Sequence, residues 1–150
     1  MALKKYEPLA LLVADEEDLQ VMSAIFQDSV AKVGDMAYLP EQRRFALVAN
    51  RFVWEEGATK KRGPYTRVRA GLHFDDVLRV RTKSVRLDAK GAVVDILSIG
   101  YEGATNAGGT VTLTLAGGGV IALEVDGINA MVHDISDPWR TQSKPDHEGG

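Results

Sequence analysis

Between Thr110 and Val132 apolar and polar residues alternate with a period of two. Val111, Leu113 and Leu115 fall on one parity and Thr110, Thr112 and Thr114 on the other. Successive strand residues point to opposite faces, so the segment predicts a sheet with one buried and one wet face. Gly117, Gly118 and Gly119 interrupt the run, and Ile121, Leu123 and Val125 resume the apolar parity, which predicts a hairpin. Asp126-Gly127 then favours either a two-residue turn or a bulge within one long strand. Both keep Ile128, Ala130 and Val132 on the apolar face.

The same pattern recurs upstream. Leu9 to Val13 predicts a short buried strand. Lys32 to Leu39 predicts a second, stopped at Pro40, and Arg44 to Trp54 a third. Phe45 and Leu47 lie on one parity but Phe52 and Trp54 on the other, so a slip or twist is expected near Asn50. Arg67 to Phe74, Val77 to Val85 and Val93 to Tyr101 complete the set, with Val68, Ala70, Leu72 and Phe74 facing in and Arg67, Arg69 and His73 facing out. Only one segment has helical spacing. Leu19, Met22, Ile25 and Phe26 form a stripe, and Asp15 stands before it as an N-cap, predicting an amphipathic helix from about Glu16 to Ser29.

Short matches hint at an internal duplication. Val33 to Met36 resembles Val93 to Ile96; Phe45 and Leu47 match Val111 and Leu113; Leu72 to Val77 matches Leu123 to Ile128. The chain is therefore expected to be an α+β, mainly β domain. Its antiparallel sheets would form a small barrel or two packed sheets of roughly six to eight strands, in two similar halves, with one N-terminal helix. Residues 1–140 would form the domain and residues 141–150 a flexible tail, with Trp139 docking back on the body. The charged loop Glu56 to Pro64 would be mobile.

Composition adds limits rather than a function. A chain of 150 residues with 45% hydrophobic and 26% charged positions suits one globular domain. With no cysteine, disulfides, thiolate metal sites and cysteine nucleophiles are excluded. The apolar run Leu9 to Ala14 is too short for an export core or a membrane span, so a cytoplasmic protein is expected, with no membrane partner. His73, His133 and His147 lack metal-ligand spacing, and no metal or cofactor is expected. Gly-x-Ser-x-Gly is absent, and strands rather than a helix follow the glycine clusters, which argues against a phosphate loop.

Charge is where the sequence becomes specific. Net charge is −3, yet residues 60–86 carry nine basic and two acidic side chains. If the strands bearing Arg67, Arg69, Arg79, Arg81 and Lys83 were neighbours, five cations would line one face, and something anionic would have to compensate. With Arg51, Trp54 and His73 these residues are the candidate surface for an anionic ligand or partner. Few aromatics interleave with the cations, so nucleic acid is poorly supported. The expected partners are a second copy in a homodimer, another cytoplasmic protein, or a small anion. The competing reading is an enzyme or accessory subunit, with a site at a barrel mouth built from His73, Asp75, Asp95 and Tyr101.

The stretch Phe26 to Asp35, with Tyr38-Leu39-Pro40, Arg43 to Leu47, Asn50-Arg51-Phe52-x-Trp54, Gly71 to Asp75, the hairpin at Gly117 to Gly119 and Lys144 to His147, resembles an uncharacterised alphaproteobacterial family. It is catalogued as domain of unknown function number 2948. The resemblance covers nearly the whole chain and implies a stand-alone bacterial cytoplasmic protein with no assigned activity. It also implies a link to histidine metabolism, because members tend to be encoded near histidinol dehydrogenase.

Overall fold

The computed structural model describes residues 7–53, 65–103 and 108–141; of Tyr65, Arg140 and Thr141 only the backbone is described. The helix forms where its stripe predicts. α1 spans Glu16–Phe26, and the Asp15 carboxylate accepts the Asp18 N–H at 2.7 Å while the Asp18 carboxylate accepts the Ala14 N–H at 3.1 Å. This reciprocal cap satisfies donors that the first turn leaves without partners. Leu19, Met22 and Phe26 are buried, each burial stabilising by about 1.5–3 kcal/mol. The helix stops short of Ser29 because Asp28 takes a positive φ of 63° and gives its N–H to the Ile96 carbonyl, turning the chain straight into a strand.

Eleven strands among the described residues make one antiparallel sheet that is not closed into a barrel. They are β1 (Ala10–Val13), β2 (Ser29–Lys32), β3 (Met36–Leu39), β4 (Arg44–Phe52), β5 (Tyr65–Phe74), β6 (Val77–Lys83), β7 (Val93–Gly103), β8 (Gly109–Leu115), β9 (Val120–Val125), β10 (Ala130–Asp134) and β11 (Trp139–Thr141). Their order is β1-β10-β5-β4-β2-β7-β8-β9-β6, with β3 added beside β4 and β11 beside β5. The count exceeds the sequence expectation because long runs are broken. Lys32 to Leu39 divides at a 3-10 turn over Val33–Asp35. There Gly34 donates to the Lys90 carbonyl, and a Cβ on it would stand 2.7 Å from that oxygen.

Asp126-Gly127 is not a hairpin turn. β9 pairs with β8 and β6, whereas β10 pairs with β5 and β1, so the chain crosses from one half of the sheet to the other. β5 and β6 do the same at Asp75-Asp76. The two crossings run side by side, with Asp75 N–H on the Asn129 carbonyl and Asp126 N–H on the Asp76 carbonyl, 2.7 and 3.0 Å. The β5–β6 and β9–β10 paths thus form one bent ribbon. The hairpin at Gly117 to Gly119 does form, with positive φ at Gly117 and Gly118 and the Leu115 N–H on the Gly119 carbonyl.

Exchanging β2, β4, β5 and β6 for β7, β8, β9 and β10 leaves the strand order β10-β5-β4-β2-β7-β8-β9-β6 unchanged when read backwards. Val132 stands opposite Leu72 in one half as Val80 stands opposite Leu123 in the other. The two halves share one topology and one core, to which Phe45, Leu47, Leu72 and Phe74 contribute from the first and Val111, Leu113, Ile121 and Leu123 from the second. β1 and β6 are the ends of the sheet.

Candidate functional site

The five strand cations do not share one face. β6 continues β5 but pairs with β9, so Arg79, Arg81 and Lys83 lie six ladders along the sheet from Arg67 and Arg69. On β6 the outward residues pair with Glu124, Ala122 and Val120 of β9. Arg81 Nε lies 2.9 Å from Glu124 Oε2 and Arg79 Nε 3.7 Å from the same oxygen, with side chains 57% and 66% exposed. Lys83 has no ion pair among the described residues. Two of the three cations therefore share one carboxylate, and the third has none among the described residues. Near its start β6 is held by the Val77 N–H on the Arg43 carbonyl and by the Tyr38 hydroxyl on the Val77 carbonyl. Beyond Leu78 its outer edge has no strand beside it among the described residues. A register shift between Val77 and Arg79 bulges Leu78 outward.

On β5 the outward residues are Arg67, Arg69, Gly71 and His73. Arg67 gives Nη1 to the Asn50 carbonyl at 3.1 Å, and its pKa is lowered by burial, with Asp95 and Asp28 opposing. Arg69 Nη2 reaches Asp35 Oδ2 at 3.4 Å. His73 Nδ1 lies 3.4 Å from Asp75 Oδ2, and Asp75 is gripped through its other oxygen by Arg44 Nε at 2.7 Å. Burial lowers the His73 pKa first, and Arg44 and His133 lower it further against the pull of Asp75. The imidazole is thus held toward its neutral form.

Arg51 belongs to no surface. Its guanidinium forks onto Asp134, Nε to Oδ1 and Nη2 to Oδ2, both at 3.0 Å, with both side chains 0% exposed. Asp134 Oδ2 also accepts the Leu9 N–H at 2.8 Å, so the pair ties β4 and β10 to the start of β1. This explains the parity break near Asn50 without a slip. The β4–β5 register runs unbroken from Phe45↔Phe74 to Phe52↔Arg67, and a buried arginine occupies an inward position. Its sequence signal was present: Arg51 shares parity with Phe45, Leu47 and Ala49, and Asp134 with Ala130 and Val132. Trp54 and the loop Glu56 to Pro64 lie outside the described residues, as does nearly all of the expected tail. Trp139 pairs through its backbone with Arg67 while the residue stays 39% exposed, so it docks as strand more than as an anchor.

The residues of the competing enzyme reading are dispersed. His73 and Asp75 meet; Asp95 lies on β7 opposite Val30, near Arg67; Tyr101 pairs with Val111 and packs on the core side. Among the described residues no three His, Asp or Glu side chains gather as metal ligands. None of the described helices is long and apolar enough to cross a membrane.

A single antiparallel sheet with duplicated topology, a covering helix and a cationic strand at one end defines a mainly β domain. The chain belongs to the family described as protein of unknown function, DUF2948, whose model matches residues 9–147. No curated protein and no solved structure matches it.

Proposed function

We propose that the protein is a non-enzymatic interaction module, and that β6 is its working edge, taking up an extended acidic segment of another protein. One observation carries this reading. β10 and β6 occupy equivalent places in the two halves, and β10 is covered by β1 while no strand among the described residues lies on the corresponding side of β6. An added strand donates and accepts main-chain hydrogen bonds along an open edge, and alternate side chains supply specificity. On β6 those side chains are Arg79, Arg81 and Lys83, and among the described residues Glu124 is the one acid paired with them, through the two arginines. A second copy pairing β6 on β6 would set cation against cation, which disfavours that homodimer. Lys and Arg on an edge also deter indiscriminate pairing, so an acidic strand is selected over a neutral one.

The test is fluorescence anisotropy with a labelled peptide of alternating Glu and Thr, against its Lys-Thr counterpart. The acidic peptide binds, the basic one does not, and affinity falls with added salt. Arg79→Ala with Arg81→Ala weakens binding about tenfold or more, the worth of one charged hydrogen bond or two. Equal binding of both peptides, or no change in the double variant, refutes the proposal.

A further inference from the structure

Beside Arg69 the sheet opens. β2 meets β4 at one pair only, Val30↔Asn50, and β3 rejoins β4 from Met36↔Leu47. Between them the Val33–Asp35 turn leans away, its Val33 and Gly34 N–H groups bonded to the Ala92 and Lys90 carbonyls at 2.9 Å. The space left over Val48 and Ala49 is a groove of about 250 Å³, lined also by Val30, Val93, Lys32, Asp35, Asn50 and Arg69. Typical drug-sized pockets run about 300–1,000 Å³, so this one suits a smaller molecule.

Its charges are unequal. Lys32 has no ion pair among the described residues. Arg69 touches Asp35 through one long 3.4 Å contact, which leaves the rest of its planar fork without a partner among the described residues. The backbone carrying that fork is fixed to the segment after β10, because the Arg69 N–H is bonded to Ser136 Oγ and its carbonyl accepts the Ile135 N–H. Asn50 is held from behind by Arg67 on its carbonyl. Two cations and one carboxylate at the groove leave one positive charge to neutralise.

We infer that this groove is a binding site for a small organic carboxylate with a short branched apolar tail. The carboxylate lies on the Arg69 fork and near Lys32, and the tail rests on Val30, Val48 and Val93. Arg forks match carboxylate geometry through two parallel hydrogen bonds. Asp35 at the same groove repels a second negative charge, which selects a monoanion over a phosphate dianion. The site is separate from the β6 edge and does not depend on it.

The experiment is a titration of the intact protein with isovalerate, followed by amide chemical shifts, with isovaleramide and inorganic phosphate as controls. Isovalerate shifts the amides of Lys32, Asn50 and Arg69 saturably, the uncharged amide does not, and phosphate acts more weakly. Arg69→Gln and Lys32→Gln, both at partly exposed positions, each weaken isovalerate by about tenfold. Asp35→Asn brings phosphate up to the level of the carboxylate. Arg79→Ala with Arg81→Ala leaves the titration unchanged, so failure here and failure at the β6 edge are told apart. Absence of saturable shifts, equal shifts by isovaleramide, or unaltered binding in both Gln variants overturns the inference.

Discussion

β10 and β6 hold the same place in two halves of one design, yet they end differently. β10 turns Ala130 and Val132 inward, is covered by β1 and closes with Asp134 buried on Arg51 and on the Leu9 N–H. β6 turns only Val77 fully into the core and presents Arg79, Arg81, Thr82 and Lys83 to solvent. Arginines serve both strands, with opposite consequences. Where the carboxylate is dry the pair fastens the fold; where it is wet the pair adds little to stability, and its charge is what the proposed partner would meet. Equivalent positions in the topology thus carry ion pairs of opposite burial.

The largest expected effect breaks the covered edge. Asp134→Ala takes the carboxylate from a buried guanidinium and frees the Leu9 N–H, and is expected to cost about 3–5 kcal/mol in urea unfolding. A cost below about 1 kcal/mol would place that pair with exposed ones and remove the contrast. Arg79→Ala with Arg81→Ala is expected to change stability by less than about 1 kcal/mol, because both ion pairs are exposed. Glu124→Gln removes the one acid among the β6 cations and is expected to tighten the acidic peptide by about twofold.

The smallest effect is a pH dependence near the ribbon that joins the halves. With its pKa lowered from 6.5, His73 binds fewer protons folded than unfolded in the window below 6.5. Stability is then full above that value and declines as pH falls through the window. His73→Gln is expected to flatten the slope measured by thermal melts across it, while a slope of opposite sign would show the imidazole gaining its proton on folding.

Much of this was legible in the chain. α1 was readable from its stripe and cap, and β8 and β9 from strict alternation around three glycines. The paired halves were visible in the likeness of Leu72–Val77 to Leu123–Ile128, which turn out to be the two crossings. What alternation could not give was the partner of each strand. Arg67 to Lys83 has the same parity whether β6 folds back on β5 or crosses to β9, so five cations were expected on one face where two sets exist. The Arg51–Asp134 pair spans 83 positions and shows only as charges on inward parity. The groove is hidden in the sequence because Lys32 to Leu39 reads as one strand; Gly34-Asp35 is the turn signal within it.

Amide hydrogen exchange on β10 and β6, free and with the acidic peptide, tests the central claim most directly. In the free protein β10 amides are expected to be protected along the strand, and alternate β6 amides beyond Leu78 to exchange fast. Added peptide is expected to protect those fast β6 amides and leave β10 unchanged. Uniform protection of β6 in the free protein, or fast β6 exchange that the bound peptide does not slow, would contradict the account.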